Sequence, residues 1–108
     1  MEKTLREVCK DLHVTRRAVQ GYENAGLVSP SGRNSRGYLL YDEMAIKRIK
    51  QVKMYQDMGF PIKEITHIID GPKEELRQML YQKVGKLREQ KEKLETVIHM
   101  AEEMIAQL

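Results

Sequence analysis

Apolar residues fall along this chain at spacings that change from segment to segment, and each spacing predicts an element. Leu5, Val8, Cys9 and Leu12 recur at the i, i+3, i+4, i+7 intervals that put side chains on one face of a short helix. Thr4 stands before them with Glu7 three residues later, the pattern of a capping box, and His13 ends the run. Thr15 caps a second short helix with Ala18, Val19 and Tyr22 on its apolar face, Val14 at the staple position and Gly26 as its stop. Two short amphipathic helices joined this tightly predict a helix-turn-helix.

Ser29 to Gly37 is dense in turn formers and holds Arg33 and Arg36 without an acidic residue. Tyr38, Leu39, Leu40 and Tyr41 then have strand propensity, so the stretch reads as a basic wing. Asp42 caps a helix running to about Met58, with Gly59 as its stop. Ile62, Ile65, Ile68 and Ile69 mark a fourth helix, and Gly71-Pro72 ends the domain.

From Lys73 to Leu108 there is no proline and one glycine, Gly85. Leu80, Leu87, Leu94, Ala101 and Leu108 recur every seven residues, and Val84, Ile98 and Ile105 occupy the other seam position of a heptad. A helix of this length spans roughly 50 Å at ~1.5 Å per residue, and its apolar stripe needs a partner, most simply a second copy of itself. Parallel pairing would stack Lys91 on Lys91 and Arg77 on Arg77 at the seam. Antiparallel pairing with partner numbers summing to 185 puts Lys91 against Leu94, Leu87 against Ile98, Val84 against Ala101, Leu80 against Ile105 and Arg77 against Leu108. The expected fold is mainly α: a winged helix-turn-helix DNA-binding domain over residues 1–71, then a coiled-coil dimerisation helix over 72–108.

Charge sharpens this picture. Residues 1–41 hold seven basic against four acidic side chains and carry the whole net charge of +3, while the rest of the chain balances. A basic N-terminal third points to a polyanionic partner. Arg16 and Arg17 fall in the first turn of the second helix, the part that enters a major groove, where arginine forks onto guanine edges or phosphates. Gln20 lies one turn on and suits an adenine edge; Arg33 and Arg36 suit phosphate or minor groove. Thr15, Tyr22, Tyr38 and Tyr41 carry hydroxyls that phosphates accept from, although Tyr22 and Tyr41 serve equally as packing residues.

Other chemistries find little. A single cysteine, Cys9, excludes an internal disulfide framework and any multi-cysteine metal site. His13, His67 and His99 are scattered without i, i+4 pairing, so neither a metal nor another cofactor is expected. No phosphate-cradling glycine loop follows a strand and no nucleophile has a base nearby, so the chain reads as a non-enzyme. No apolar run approaches the roughly 18 residues of a membrane span, which with the lone cysteine leads to the expectation of a cytoplasmic protein.

These residues together resemble the MerR family of bacterial transcription regulators. The matching stretches are Val14-Thr15, Tyr22-Glu23-Asn24-Ala25-Gly26-Leu27, Arg36-Gly37-Tyr38 with Tyr41-Asp42, and Met58-Gly59-Phe60-Pro61-Ile62-Lys63-Glu64-Ile65. The resemblance implies an antiparallel homodimer that binds a pseudo-palindromic operator in double-stranded DNA. It also implies distortion of promoter DNA, RNA polymerase as a further partner and a place on the nucleoid. Dimerisation would rest on Leu80, Val84, Leu87, Leu94, Ile98, Ala101, Ile105 and Leu108. Metal-sensing relatives carry cysteines around the dimerising helix and drug-sensing ones a further domain; this chain has neither, so a regulator without an effector domain is expected.

Departures from the family pattern also stand out. Gln20 and Gly21 replace an arginine and an aromatic residue before the Tyr-Glu pair, and Leu39 replaces an arginine after the wing's Gly-Tyr. Either the helix approaches the DNA backbone closely at Gly21, or binding is weaker and leans on Arg16, Arg17, Arg33 and Arg36. Two other classes remain open: an architectural or recombination-directing DNA-bending protein, and a coiled-coil protein-binding adaptor.

Overall fold

A computed structural model describes all 108 residues, which form two compact units, Met1–Gly71 and Pro72–Leu108. In chain order the elements are β1 (Lys3–Thr4), α1 (Leu5–Leu12), α2 (Arg16–Asn24), β2 (Gly32–Arg33), β3 (Leu39–Tyr41), α3 (Glu43–Asp57), α4 (Ile62–Ile68) and α5 (Lys73–Gln107).

Capping chemistry sets where the helices of the first unit begin. The Thr4 hydroxyl accepts from the Glu7 amide at 3.3 Å while the Glu7 carboxylate accepts from the Thr4 amide at 3.1 Å, completing the reciprocal box before α1. Thr15 accepts from the Ala18 amide at 3.0 Å, and Asp42 accepts from the Ala45 amide at 2.8 Å. Each cap satisfies an orphan backbone donor, a contribution of about 1 kcal/mol. His13 in the left-handed region ends α1, and Gly26, with φ +76°, follows α2 at the place a left-handed residue is needed.

Three short strands pair antiparallel in the order β1-β3-β2, with Lys3 opposite Tyr41, Gly32 opposite Leu40 and Arg33 opposite Leu39. β1 lies outside the expected elements: two residues carry no periodicity, and their strand geometry exists only because β3 offers them partners. The core is built from Val8, Val19, Tyr22, Tyr41, Ile49, Val52 and Ile65, all fully buried and drawn from α1, α2, β3, α3 and α4. Val14 and Val19, the two positions of a hydrophobic staple around Thr15, are both buried.

The second unit is one helix of 35 residues, α5, opened by Pro72 at its N-cap. None of its residues is buried, and Leu94, Ile98 and Ile105 are 63%, 55% and 70% exposed. No helix of the chain is long and apolar enough to cross a membrane.

Candidate nucleic-acid interface

α2 starts at Arg16 because Thr15 caps it, so the cap also sets which side chains stand in the first turn. Arg16 and Arg17 are exposed there, as is Gln20 one turn on, and no carboxylate pairs with either arginine. Thr15 is exposed too, its oxygen committed to the Ala18 amide and its proton without an acceptor.

The wing is a built turn. Asn34 Oδ1 accepts from the amides of Arg36 and Tyr38, each at 3.0 Å, and the Asn34 carbonyl accepts from the Gly37 amide at 2.9 Å. Gly37 has φ +82°, a conformation glycine adopts without a Cβ penalty. The Arg33 Nη1 donates to the Gly37 carbonyl at 2.7 Å, so this side chain braces the tip of the turn it belongs to. Arg36 is free of such bonds, and Tyr38 is 58% exposed with its hydroxyl unengaged.

Between the first helices and the wing lies a cleft of about 640 Å³ whose walls include Arg6, Arg16, Arg33, Arg36 and Tyr38. Four arginines and no carboxylate line it. Such a field of guanidinium donors in forks is suited to phosphate oxygens, which accept bidentately. Of the residues expected at a DNA interface, the structure brings Arg16, Arg33, Arg36, Gly37 and Tyr38 to this cleft. Thr15, Arg17 and Gln20 are exposed on α2 or at its start, outside the cleft walls.

Tyr22 is a correction. It is 1% exposed, and its hydroxyl donates to Gln56 Oε1 of α3 at 2.6 Å, so it fixes α2 against α3 and offers nothing to a phosphate. Tyr41 is likewise inside, donating its hydroxyl to Glu23; burial pushes its pKa up first, and the Glu23 carboxylate adds to that. A Cβ built at Gly21 would meet Ile62 Cδ1 of α4 at an ordinary 3.8 Å, so this half-buried glycine sits on the side of α2 turned toward α4. Cys9 is half-buried and its thiol is pushed up by that burial, which disfavours the reactive thiolate.

Two residues of the cleft escaped the reading of the sequence. Arg6 counted there only as charge, because an arginine on a short helix carries no signal of direction until the fold places it. Asn34 had a signal: an asparagine three residues before a glycine is a turn-former in which the side chain replaces a backbone acceptor.

Comparison with known proteins gives two family-model matches, "MerR HTH family regulatory protein" over residues 3–71 and "MerR, DNA binding" over residues 46–107. The HTH-type transcriptional activator TipA of Streptomyces coelicolor is 30% identical over 82 residues, covering 69% of this chain and 32% of TipA. The HTH-type transcriptional activator mta of Bacillus subtilis is 26% identical over 98 residues, 91% of this chain and 38% of mta. The chain thus spans about a third of the length of these relatives. Among solved structures, a MerR family transcriptional regulator from Bacillus cereus superposes with a TM-score of 0.71 at 30% identity, covering 94% of this chain and 79% of that one. HiNmlR, a MerR family regulator lacking the sensor domain and bound to promoter DNA, gives a TM-score of 0.74 at 16% identity, over 91% of this chain and 79% of its own, a likeness of fold.

Proposed function

The chain belongs to the MerR family of helix-turn-helix regulatory proteins, and from that premise we propose that it works as a dimeric, sequence-specific transcription regulator that binds duplex DNA and distorts promoter DNA. The observation that carries this reading is the cleft lined by Arg6, Arg16, Arg33 and Arg36 with no carboxylate among them. In this reading Arg16, Arg17 and Gln20 enter a major groove from the start of α2, while Arg36 and Tyr38 hold the adjoining backbone from the wing. Thr15 and Arg33 secure these two elements and add phosphate contacts of their own.

The apolar stripe of α5 supports the dimer. Leu87, Leu94, Ile98 and Ile105 stand exposed on a helix with no buried residue, and a second copy running antiparallel covers them in the register whose residue numbers sum to 185. A two-fold dimer reads a pseudo-palindromic site, one half-site per recognition helix. Where the separation of the two helices differs from the groove spacing of straight DNA, the duplex must deform, at on the order of 1–6 kcal/mol for a smooth bend. The protein then acts at promoters on the nucleoid, with RNA polymerase as its further partner.

Selection of duplexes from a random library by the purified protein tests this reading. It predicts an enriched motif with two-fold symmetry. A bound population without any shared motif, yet bent on binding, points to a general architectural protein, and the absence of binding to an adaptor.

A further inference from the structure

We propose that Arg6, on the first turn of α1, is a DNA-backbone contact in its own right, holding one phosphate per half-site from outside both the recognition helix and the wing. The inference rests on the DNA-binding reading above and extends it to a third element.

Arg6 is exposed and lines the same cleft as Arg16 of α2 and Arg33 and Arg36 of the wing. It takes part in no ion pair and no side-chain hydrogen bond of its own. The adjacent carboxylate, Glu7, is turned to the helix cap, accepting from both the amide and the hydroxyl of Thr4 at 3.1 Å, and it is not part of the cleft wall. A guanidinium so placed has only cations for charged neighbours across the cleft, an arrangement that gains from an anion and has nothing to gain without one. Forks from α1, α2 and the wing call for more acceptor oxygens than one phosphate offers, so the fitting ligand is a run of phosphates, as in a nucleic-acid backbone. Arg6 stands outside the first turn of α2, so its contact adds affinity without sequence preference.

Counterion release gives the size of the effect. A phosphate contact changes the slope of log affinity against log salt by about 0.9, which amounts to about eightfold in affinity between 1 M and 0.1 M salt. The test measures the parent chain, Arg6→Ala and Arg6→Lys on the selected duplex, on an unrelated duplex, and on a set of selected duplexes each with one neutral methylphosphonate. Arg6→Ala is expected to bind both duplexes about eightfold more weakly at 0.1 M salt, with the slope reduced by about 0.9 and an unchanged melting temperature. Arg6→Lys is expected to keep most of the slope. One methylphosphonate position per half-site should weaken the parent and leave Arg6→Ala unaffected. A parent that binds with a normal salt slope beside an Arg6→Ala variant of equal affinity and slope overturns the inference alone. So does weaker binding by Arg6→Ala with no methylphosphonate position made silent. A parent that shows no salt-dependent binding overturns the DNA-binding reading and this inference with it.

Discussion

Arg48 grips Asp70 with two parallel hydrogen bonds, Nη1 to Oδ1 at 2.9 Å and Nη2 to Oδ2 at 2.5 Å, while its Nε donates to the Leu27 carbonyl at 2.9 Å. One guanidinium on α3 thus ties together the segment that follows α2 and the residue just before Gly71, where the first unit ends. Replacing Arg48 by methionine keeps the apolar stem and removes all three bonds. The partly buried Leu27 carbonyl then loses its partner, at a cost of about 1 kcal/mol to the stability of the first unit. Asp70→Asn leaves the Leu27 bond in place and is expected to cost less, because Asp70 is mostly exposed. Chemical denaturation of both variants checks the order.

The same carboxylate predicts an acid response. Arg48 holds the Asp70 carboxyl below its ordinary 3.8, the Thr4 amide and hydroxyl hold Glu7 below 4.5, and Lys3 holds Asp11 below 3.8. A carboxyl with a lowered folded-state pKa binds its proton more readily in the unfolded chain. Its contribution is therefore fully present above the ordinary value and lost as pH falls through the folded one. Stability should be level from neutral pH down to about 5 and fall below that. In Asp70→Asn the fall should be shallower, as followed by urea midpoints across the acid range.

Gly21→Ala should stabilise the protein. The added methyl meets Ile62 Cδ1 at an ordinary 3.8 Å, and the helix gains about 0.5–1 kcal/mol from losing a mid-helix glycine. Melting should shift up by several degrees, about 4–8 °C per kcal/mol for a domain of this size, with DNA affinity unchanged. Loss of affinity in a stabilised variant would mean that Gly21 lies against DNA after all.

How far the sequence could be read depended on whether a feature is local. Thr4, Thr15 and Asp42 were legible as caps because a side-chain cap is decided within four residues, and Gly26 as a stop because only its own φ is at stake. The heptads of α5 were equally plain as a helix. Tyr22 was not legible, since period alone does not say whether a tyrosine at the rim of an apolar face ends on Gln56 or in solvent. β1 depends on pairing with β3 some forty residues on, and the direction of Arg6 depends on the wing that closes the cleft beside it. Gly21 needed α4 in place before its side could be told.

Arg16→Ala and Arg36→Ala should weaken DNA binding in different ways. If Arg16 reads a base edge, its loss costs ~1–3 kcal/mol and relaxes preference at one position per half-site. Loss of a phosphate contact at Arg36 lowers affinity on all sequences alike and reduces the salt slope by about one. Competition binding against a panel of single-base variants of the selected site separates the two.

The coiled-coil register has a direct chemical test. In a Cys9→Ser background, Leu87→Cys with Ile98→Cys should cross-link residue 87 of one protomer to residue 98 of the other under mild oxidation, because the numbers sum to 185. Single Leu87→Cys chains that cross-link efficiently to one another would instead support parallel helices and overturn the register.

Function depends on which face of the first unit meets DNA, and backbone amide NMR shifts on titration with the selected duplex report that face. DNA held on the cleft and the exposed start of α2 predicts the largest changes at Arg6, Arg16, Gln20, Arg36 and Tyr38, with the exposed side of α3 little affected. That side carries Lys47 and Lys50 beside Leu12 and Met54, with Asp11 and Asp57 on the same surface. Shifts concentrated at Lys47 and Lys50, with Arg16 and Arg36 silent, would contradict this placement.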